Sequence, residues 1–137
     1  MATLGIKMIN RRDNLDPSHW GPLTWQVLFL FALSYPDLNT SKYIKNNFAA
    51  FYNSLKVVLP CEKCREGTAM YFKKLPIEKH LDTKISLLKW VIGLYNDKRP
   101  IPSKMKTLKD LKKTLKADKE TNILIDNLDK NNPKLRF

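Results

Sequence analysis

Apolar residues recur along this chain at the spacing of an α-helix, in segments that prolines separate. In the first segment Trp25, Leu28, Phe29 and Ala32 occupy positions i, i+3, i+4 and i+7, which lie on one face of a helix. Similar stripes follow, and no segment alternates polar and apolar residues for long enough to predict a β-strand. The sequence therefore predicts an all-α fold, a four-helix bundle with one or two short C-terminal helices after it.

Capping residues and prolines mark the expected ends of the four core helices. Prolines at positions 36, 60, 76 and 100 follow these helices in turn, and a C-x-x-C motif stands at the start of the third. We expect a flexible N-terminal segment at residues 1–16, a bundle at 17–102, and a basic helical extension with a tail at 103–137. The expected caps of the first, second and fourth helices are Asp16, Thr40 or Ser41, and Asp82 or Thr83, and the third helix is expected to begin at Cys61.

The charge of the chain is strongly positive and unevenly placed. Its 137 residues include 25 Lys and Arg against 13 Asp and Glu, a formal net charge of +12. Nine of the basic residues lie between Lys98 and Lys119, a stretch that also holds Asp110 and Asp118. Such a stretch fits nucleic acid, an anionic membrane surface or an anionic ligand, and it is equally typical of a solvated lysine-rich surface.

Several common classes of protein are not indicated. The longest uninterrupted apolar run is the seven residues Val27–Leu33, whereas a transmembrane helix needs ~20. The first twelve residues lack the apolar block and cleavage pattern of a secretory signal peptide. None of the four glycines belongs to a glycine-rich phosphate-binding motif. We therefore expect no membrane span, no signal peptide and no nucleotide-binding loop of that kind.

The two cysteines, Cys61 and Cys64, are the most informative residues of the chain. The unpaired N–H groups and partial positive charge at a helix N-terminus lower a thiol pKa, as do neighbouring cations, so this position favours a redox-active pair. Three alternatives stay open: a zinc site completed by His19 and His80, a structural disulfide, and two free buried thiols. The sequence has no second C-x-x-C for zinc, and so short a disulfide loop constrains an unfolded chain little.

Four motifs in this order resemble the Erv/ALR family of FAD-dependent sulfhydryl oxidases, most closely its small viral members. They are Trp20-Gly21-Pro22-Leu23-Thr24-Trp25, Tyr35-Pro36-Asp37, Leu59-Pro60-Cys61-Glu62-Lys63-Cys64, and Trp90 with Tyr95-Asn96. The resemblance implies a four-helix bundle that holds FAD at its mouth. It makes Cys64 the sulfur next to the flavin and Cys61 the sulfur that a substrate thiolate attacks. It requires no metal. The cofactor-binding residues that it implies are Trp20, Gly21, Trp25, Phe29, Trp90, Tyr95, Asn96, Lys98 and Arg99.

The reaction implied by the resemblance is oxidation of a protein dithiol to a disulfide, with O₂ reduced to H₂O₂. This chain has no second cysteine pair, so we expect the immediate substrate to be a thioredoxin-like or other small redox carrier. The resemblance also implies a homodimer that buries part of the first two helices, and a viral protein of the host cytoplasm or virion. The rival hypothesis is a basic nucleic-acid-binding or scaffold protein without redox activity. The basic stretch has no aromatic residues for base stacking, which does not favour nucleic acid.

Overall fold

The computed structural model describes residues 12–137, and all regular secondary structure in that range is helical. Two 3₁₀ turns, Ile77–His80 and Ile101–Ser103, connect longer elements. The predicted all-α fold is confirmed, with four core helices and two more after them, of which one is short and the other, at 13 residues, is as long as a core helix. The second predicted helix is interrupted at Ser54 and continues as a single turn. The α-helices of this range are α1 Pro17–Leu33, α2 Lys42–Asn53, α3 Leu55–Val58, α4 Glu62–Lys74, α5 Lys84–Asn96, α6 Leu108–Leu115 and α7 Lys119–Asn131.

Side chains cap the four core helices, at three of them as the sequence predicts and at the third by Cys61, which was expected inside that helix. Asp16, Ser41, Cys61 and Thr83 each accept a hydrogen bond from a backbone N–H two or three residues further along. Each bond satisfies one of the N–H groups that a helix start leaves without an intrahelical partner. At Cys61 the capping atom is the sulfur itself, and this fixes the cysteine motif at the N-terminus of α4.

Buried aromatic hydroxyl and indole groups tie the core helices together. Tyr52 on α2 donates to the Leu28 carbonyl of α1 at 2.6 Å, and Tyr71 on α4 donates to the Trp90 carbonyl of α5 at 2.9 Å. The Trp90 Nε1–H donates to the Leu75 carbonyl at 2.7 Å. Burial raises the pKa of Tyr71 to about 12 and raises that of Tyr52 further, so both hydroxyls stay protonated donors. These bonds fix how α4 and α5 pack.

The basic extension packs on the bundle. Its helix α6 contacts α7 and α1 and buries Leu108, Leu111 and Leu115, the stripe that the sequence predicts. The Asn96 side chain donates to the Met105 carbonyl and accepts from the Met105 N–H, both at 2.9 Å. This pair of bonds fastens the start of the extension to the end of α5.

The predicted flexible N-terminal segment is covered only in its last part, since residues 1–11 lie outside the described residues. Arg12 Nη1 donates to the Val57 carbonyl at 2.7 Å, and the Leu15 N–H donates to the Pro60 carbonyl at 2.8 Å. Residues 12–16 therefore lie alongside α3 and the loop that leads to the cysteines. In the described range, no helix has both the length and the apolar character to cross a membrane.

Candidate redox site

A cavity of about 500 Å³ lies between the first half of α1, the start of α4 and the end of α5. Its volume falls in the range typical of small-molecule and cofactor sites. Its walls are largely apolar and aromatic, with cationic side chains at one end. The residues that line it include Trp20, Gly21, Trp25, Leu28, Leu55, Leu59, Lys63, Cys64, Gly67, Thr68, Leu94, Tyr95, Asp97, Lys98, Arg99 and Thr114.

Cys61 and Cys64 form a disulfide across the first turn of α4, with their Cα atoms 5.1 Å apart. The Cys61 sulfur accepts a hydrogen bond from the Cys64 N–H at 3.3 Å. Both residues are half-buried, and Cys64 lines the cavity whereas Cys61 does not. The pair therefore presents one sulfur to the cavity and the other away from it. In the part of the chain that the structure describes, no three His, Cys, Asp or Glu side chains are grouped to hold a metal ion.

The loop before the disulfide is held from both sides. Asn14 Oδ1 accepts from the first backbone N–H of α4 at 2.8 Å, and Leu15 is bonded to the carbonyl of Pro60. From the other side, Arg65 Nη1 donates to the Leu59 carbonyl at 2.6 Å. Sequence reasoning missed Asn14, because a short segment without periodicity gives no signal for a contact 48 residues along the chain.

Two aromatic rings and a guanidinium group form one wall of the cavity, and a third ring packs behind them. The Trp25 ring lies edge-on to Tyr95 with centroids 5.1 Å apart, and Phe29 packs 5.7 Å from Trp25 and 5.5 Å from Tyr95. The guanidinium carbon of Arg99 lies 3.5 Å from the centroid of the Tyr95 ring, and its Nη1 donates to the Tyr95 carbonyl at 2.8 Å. Such cation–π stacking holds the charge beside a flat apolar surface.

The structure brings six of the nine predicted cofactor-binding residues to the cavity. Of the other three, Phe29 is buried behind the aromatic wall, and Trp90 is enclosed in the core. The amide of Asn96 is occupied by the backbone of Met105. These three support the walls, and a direct contact of theirs with a cofactor stays a prediction. The six that line the cavity are Trp20, Gly21, Trp25, Tyr95, Lys98 and Arg99.

Two glycines keep parts of the wall free of side chains. Gly21 is buried in α1, yet a Cβ atom added there would meet no atom of another element within 4 Å, so the cavity lies beside it. At Gly67, an added Cβ would lie 2.6 Å from Lys98 Nζ, so the Lys98 side chain crosses α4 one turn after Cys64. Sequence reasoning missed Gly67, although its place three residues after Cys64 on the same helix face was a usable signal.

The fold is a helical bundle, and a disulfide stands at the start of one core helix. One sulfur of this disulfide lines an aromatic cavity. These features define a small helical protein with a redox site. The model of the Erv1 / Alr family matches residues 22–117, more than half of the chain. The protein therefore belongs to the Erv1 / Alr family.

Several curated relatives of this chain are viral proteins. A probable FAD-linked sulfhydryl oxidase of Acanthamoeba polyphaga mimivirus is 35% identical over 83 residues, covering 60% of this chain and 57% of the relative. A putative FAD-linked sulfhydryl oxidase of Invertebrate iridescent virus 6 is 31% identical over 62 residues, covering 45% and 55%. An FAD-linked sulfhydryl oxidase of African swine fever virus is 28% identical over 81 residues, covering 58% and 64%. The chain thus spans little more than half the length of these relatives.

Proposed function

We propose that this protein is an FAD-linked thiol oxidase that converts protein dithiols to disulfides, with O₂ as the electron acceptor and H₂O₂ as the product. The observation that carries the proposal is the disulfide at the start of α4, of which Cys64 lines the cavity and Cys61 does not. Membership of the Erv1 / Alr family and the names of its viral relatives support the same activity.

The cavity fits FAD in its shape and its chemistry. The rings of Trp25 and Tyr95 offer flat surfaces for an aromatic ring system, and Gly21 leaves one wall open to it. Lys63, Lys98 and Arg99 supply positive charge for a pyrophosphate. When bound, FAD would take two electrons from the reduced cysteine pair and pass them to O₂.

Thiol–disulfide exchange follows from the positions of the two sulfurs. A substrate thiolate attacks Cys61, the Cys61–Cys64 bond breaks, and Cys64 leaves as a thiolate toward the cavity. The second substrate thiolate then attacks the substrate sulfur of the mixed disulfide and releases Cys61. The substrate has lost two electrons and two protons, and the cysteine pair has gained the two electrons. The helix N-terminus stabilises the thiolates that form.

Visible absorbance of the purified protein tests this proposal. We expect a flavin spectrum that bleaches when dithiothreitol is added without oxygen and recovers in air, with H₂O₂ formed. Cys64→Ser should keep the colour and lose the fast bleaching, because the sulfur beside the cavity is removed. A colourless protein that FAD does not reconstitute would contradict the proposal.

We further propose that the immediate substrate is a small dithiol protein, such as a thioredoxin-like carrier, in a viral disulfide relay. The viral origin of the relatives and the lack of another cysteine in this chain support this idea. Trapping with Cys64→Ser, loaded as a mixed disulfide between Cys61 and a small thiol, tests it. A carrier with one cysteine of its C-x-x-C pair replaced by Ser should attack Cys61 and stay linked, because it has no second thiol to release Cys61. Failure of such a carrier to link, while a protein without a C-x-x-C pair does, would contradict a redox carrier.

A homodimer through α1 and α2 is the last part of the proposal. Leu23, Val27, Leu30 and Phe31 on α1 and Phe51 on α2 are all exposed, an unusual concentration of apolar side chains on one region. Sedimentation equilibrium should give twice the mass of the chain, and Phe31→Asp should give the monomer with the flavin still bound. A wild-type monomer at high micromolar concentration would contradict it.

A further inference from the structure

The surface beside Cys61 is built from two segments that are far apart in sequence. Residues 12–15 run beside residues 57–62, joined by the bonds from Arg12 to Val57, from Leu15 to Pro60, and from the start of α4 to Asn14. Leu15 therefore lies next to the residue that precedes Cys61. A protein bound to Cys61 would therefore lie close to this surface.

Three aliphatic side chains on this surface are exposed to solvent. Leu15 is 55% exposed, Val57 57% and Val58 58%. Scattered exposed apolar residues are ordinary, but these three are brought together by a specific set of backbone bonds beside a disulfide. We call Leu15, Val57 and Val58 the docking surface.

The charges around the docking surface balance, although the whole chain carries +12. Residues 12–16 and 56–63 contain the three cations Arg12, Lys56 and Lys63 and also three carboxylates, those of Asp13, Asp16 and Glu62. A locally neutral region gives no long-range attraction to an acidic or a basic partner. Contact with this region therefore selects a partner by its apolar residues.

We propose that the docking surface binds aliphatic residues that flank the reactive cysteines of the substrate protein, and so selects dithiols in apolar sequence contexts. The proposal rests on the proposed thiol oxidase function, because only exchange at Cys61 brings a substrate cysteine to this place. A short extended segment is the occupant that fits, since it leaves the side chains beside its cysteine free to contact the docking surface.

Two twelve-residue peptides with the same pair of cysteines test the proposal. One carries Val and Leu beside the cysteines and the other carries Ser at those positions, and dithiothreitol serves as a substrate without side chains. We expect kcat/KM of the wild-type holoenzyme to be about tenfold higher for the apolar peptide. The Val57→Ser/Val58→Ser variant should bring this ratio close to one while it oxidises dithiothreitol within about twofold of the wild-type rate.

Two further variants control for folding and for general surface effects. Leu15→Ser changes a side chain outside any helix and should lower the same ratio. Ile123→Ser replaces an exposed side chain on α7 and should leave the ratio unchanged. A wild-type ratio near one, or a ratio that Ile123→Ser lowers as much, would overturn the docking surface and leave the oxidase intact. A holoenzyme that oxidises neither dithiothreitol nor peptides would overturn the proposed function, and the docking surface with it.

Discussion

A methyl group added at Gly21 should stabilise the free protein and weaken its binding of FAD. Gly21 lies inside α1, where glycine costs about 0.5–1 kcal/mol relative to alanine. An added Cβ meets no atom of another element within 4 Å. Pro22 follows Gly21 in the helix, and its ring crowds a Cβ on the residue before it, which offsets part of the gain. We therefore expect Gly21→Ala to raise the free energy of unfolding of the FAD-free protein, but by less than about 0.5–1 kcal/mol.

The same methyl group occupies space in the cavity wall. A ligand packed against that wall must shift, and overpacking of this size costs about 1–3 kcal/mol. That energy corresponds to FAD binding that is about 5- to 150-fold weaker. The two effects have opposite signs because the space beside Gly21 belongs to the ligand and not to the protein core.

Urea unfolding followed by circular dichroism measures the first effect, and quenching of flavin fluorescence measures the second. Gly93→Ala is the comparison variant for FAD binding only, because Gly93 lies within a helix and does not line the cavity, whereas an added Cβ there meets the Tyr71 hydroxyl. A Gly21→Ala variant that is less stable than the wild type without FAD would refute the open space beside this residue. An FAD Kd within twofold of the wild-type value would refute its place in the binding wall.

Three further predictions concern the fold around the site. Gly93→Ala should lower the free energy of unfolding, measured by urea unfolding, by about 1–3 kcal/mol, because the Tyr71 hydroxyl lies where the methyl would be. In a Tyr71→Phe background the same change should be neutral or stabilising. An equal loss of stability in both backgrounds would exclude the hydroxyl as the cause. Asn96→Ala removes both hydrogen bonds to Met105 and should lower the free energy of unfolding by about 2 kcal/mol. Trypsin should then cleave the region after residue 103 faster, and an unchanged cleavage pattern in mass spectra would contradict the role of these two bonds. Desolvation, together with nearby lysines, lowers the pKa of His80. The folded state therefore favours the neutral ring and loses stability as pH falls below about 6.5. His80→Gln should reduce the change in the urea midpoint between pH 7.5 and pH 5, and an equal change in the variant and the wild type would contradict this role of His80.

Local signals were sufficient to predict most of the fold. The stripe that begins at Trp25 and the caps at Ser41 and Thr83 act within one or two turns, so they are visible in the sequence. The break at Ser54 was not predicted, because no proline or glycine stands there. The clamp between Asn96 and Met105 was also missed, since an asparagine near a helix end has many local partners and the sequence does not say which one it takes.

The contacts that build the site are likewise of two kinds, those between residues close in sequence and those between residues far apart. The disulfide and its place at the N-terminus of α4 depend on residues three positions apart, and the sequence predicted that place and favoured a redox-active pair there over the three alternatives. Asn14 and Thr114 approach the same site from the two ends of the described chain. Their positions depend on how whole helices pack, and no spacing rule within the sequence contains that information.

The basic stretch that stood out in the sequence separates into two parts with different physical roles. Lys98 and Arg99 lie at the cavity, where positive charge favours an anionic ligand. Lys109 and Lys113, on α6, face solvent, while the leucines of that helix are buried and Thr114 lines the cavity. The position of α6 is thus determined by its leucines and not by its charge. Since a helix without aromatic residues offers no stacking surface for bases, Lys109 and Lys113 are best explained as the solvated face of a helix that contributes Thr114 to the cavity wall, while Lys112 pairs with Asp126 at 2.9 Å.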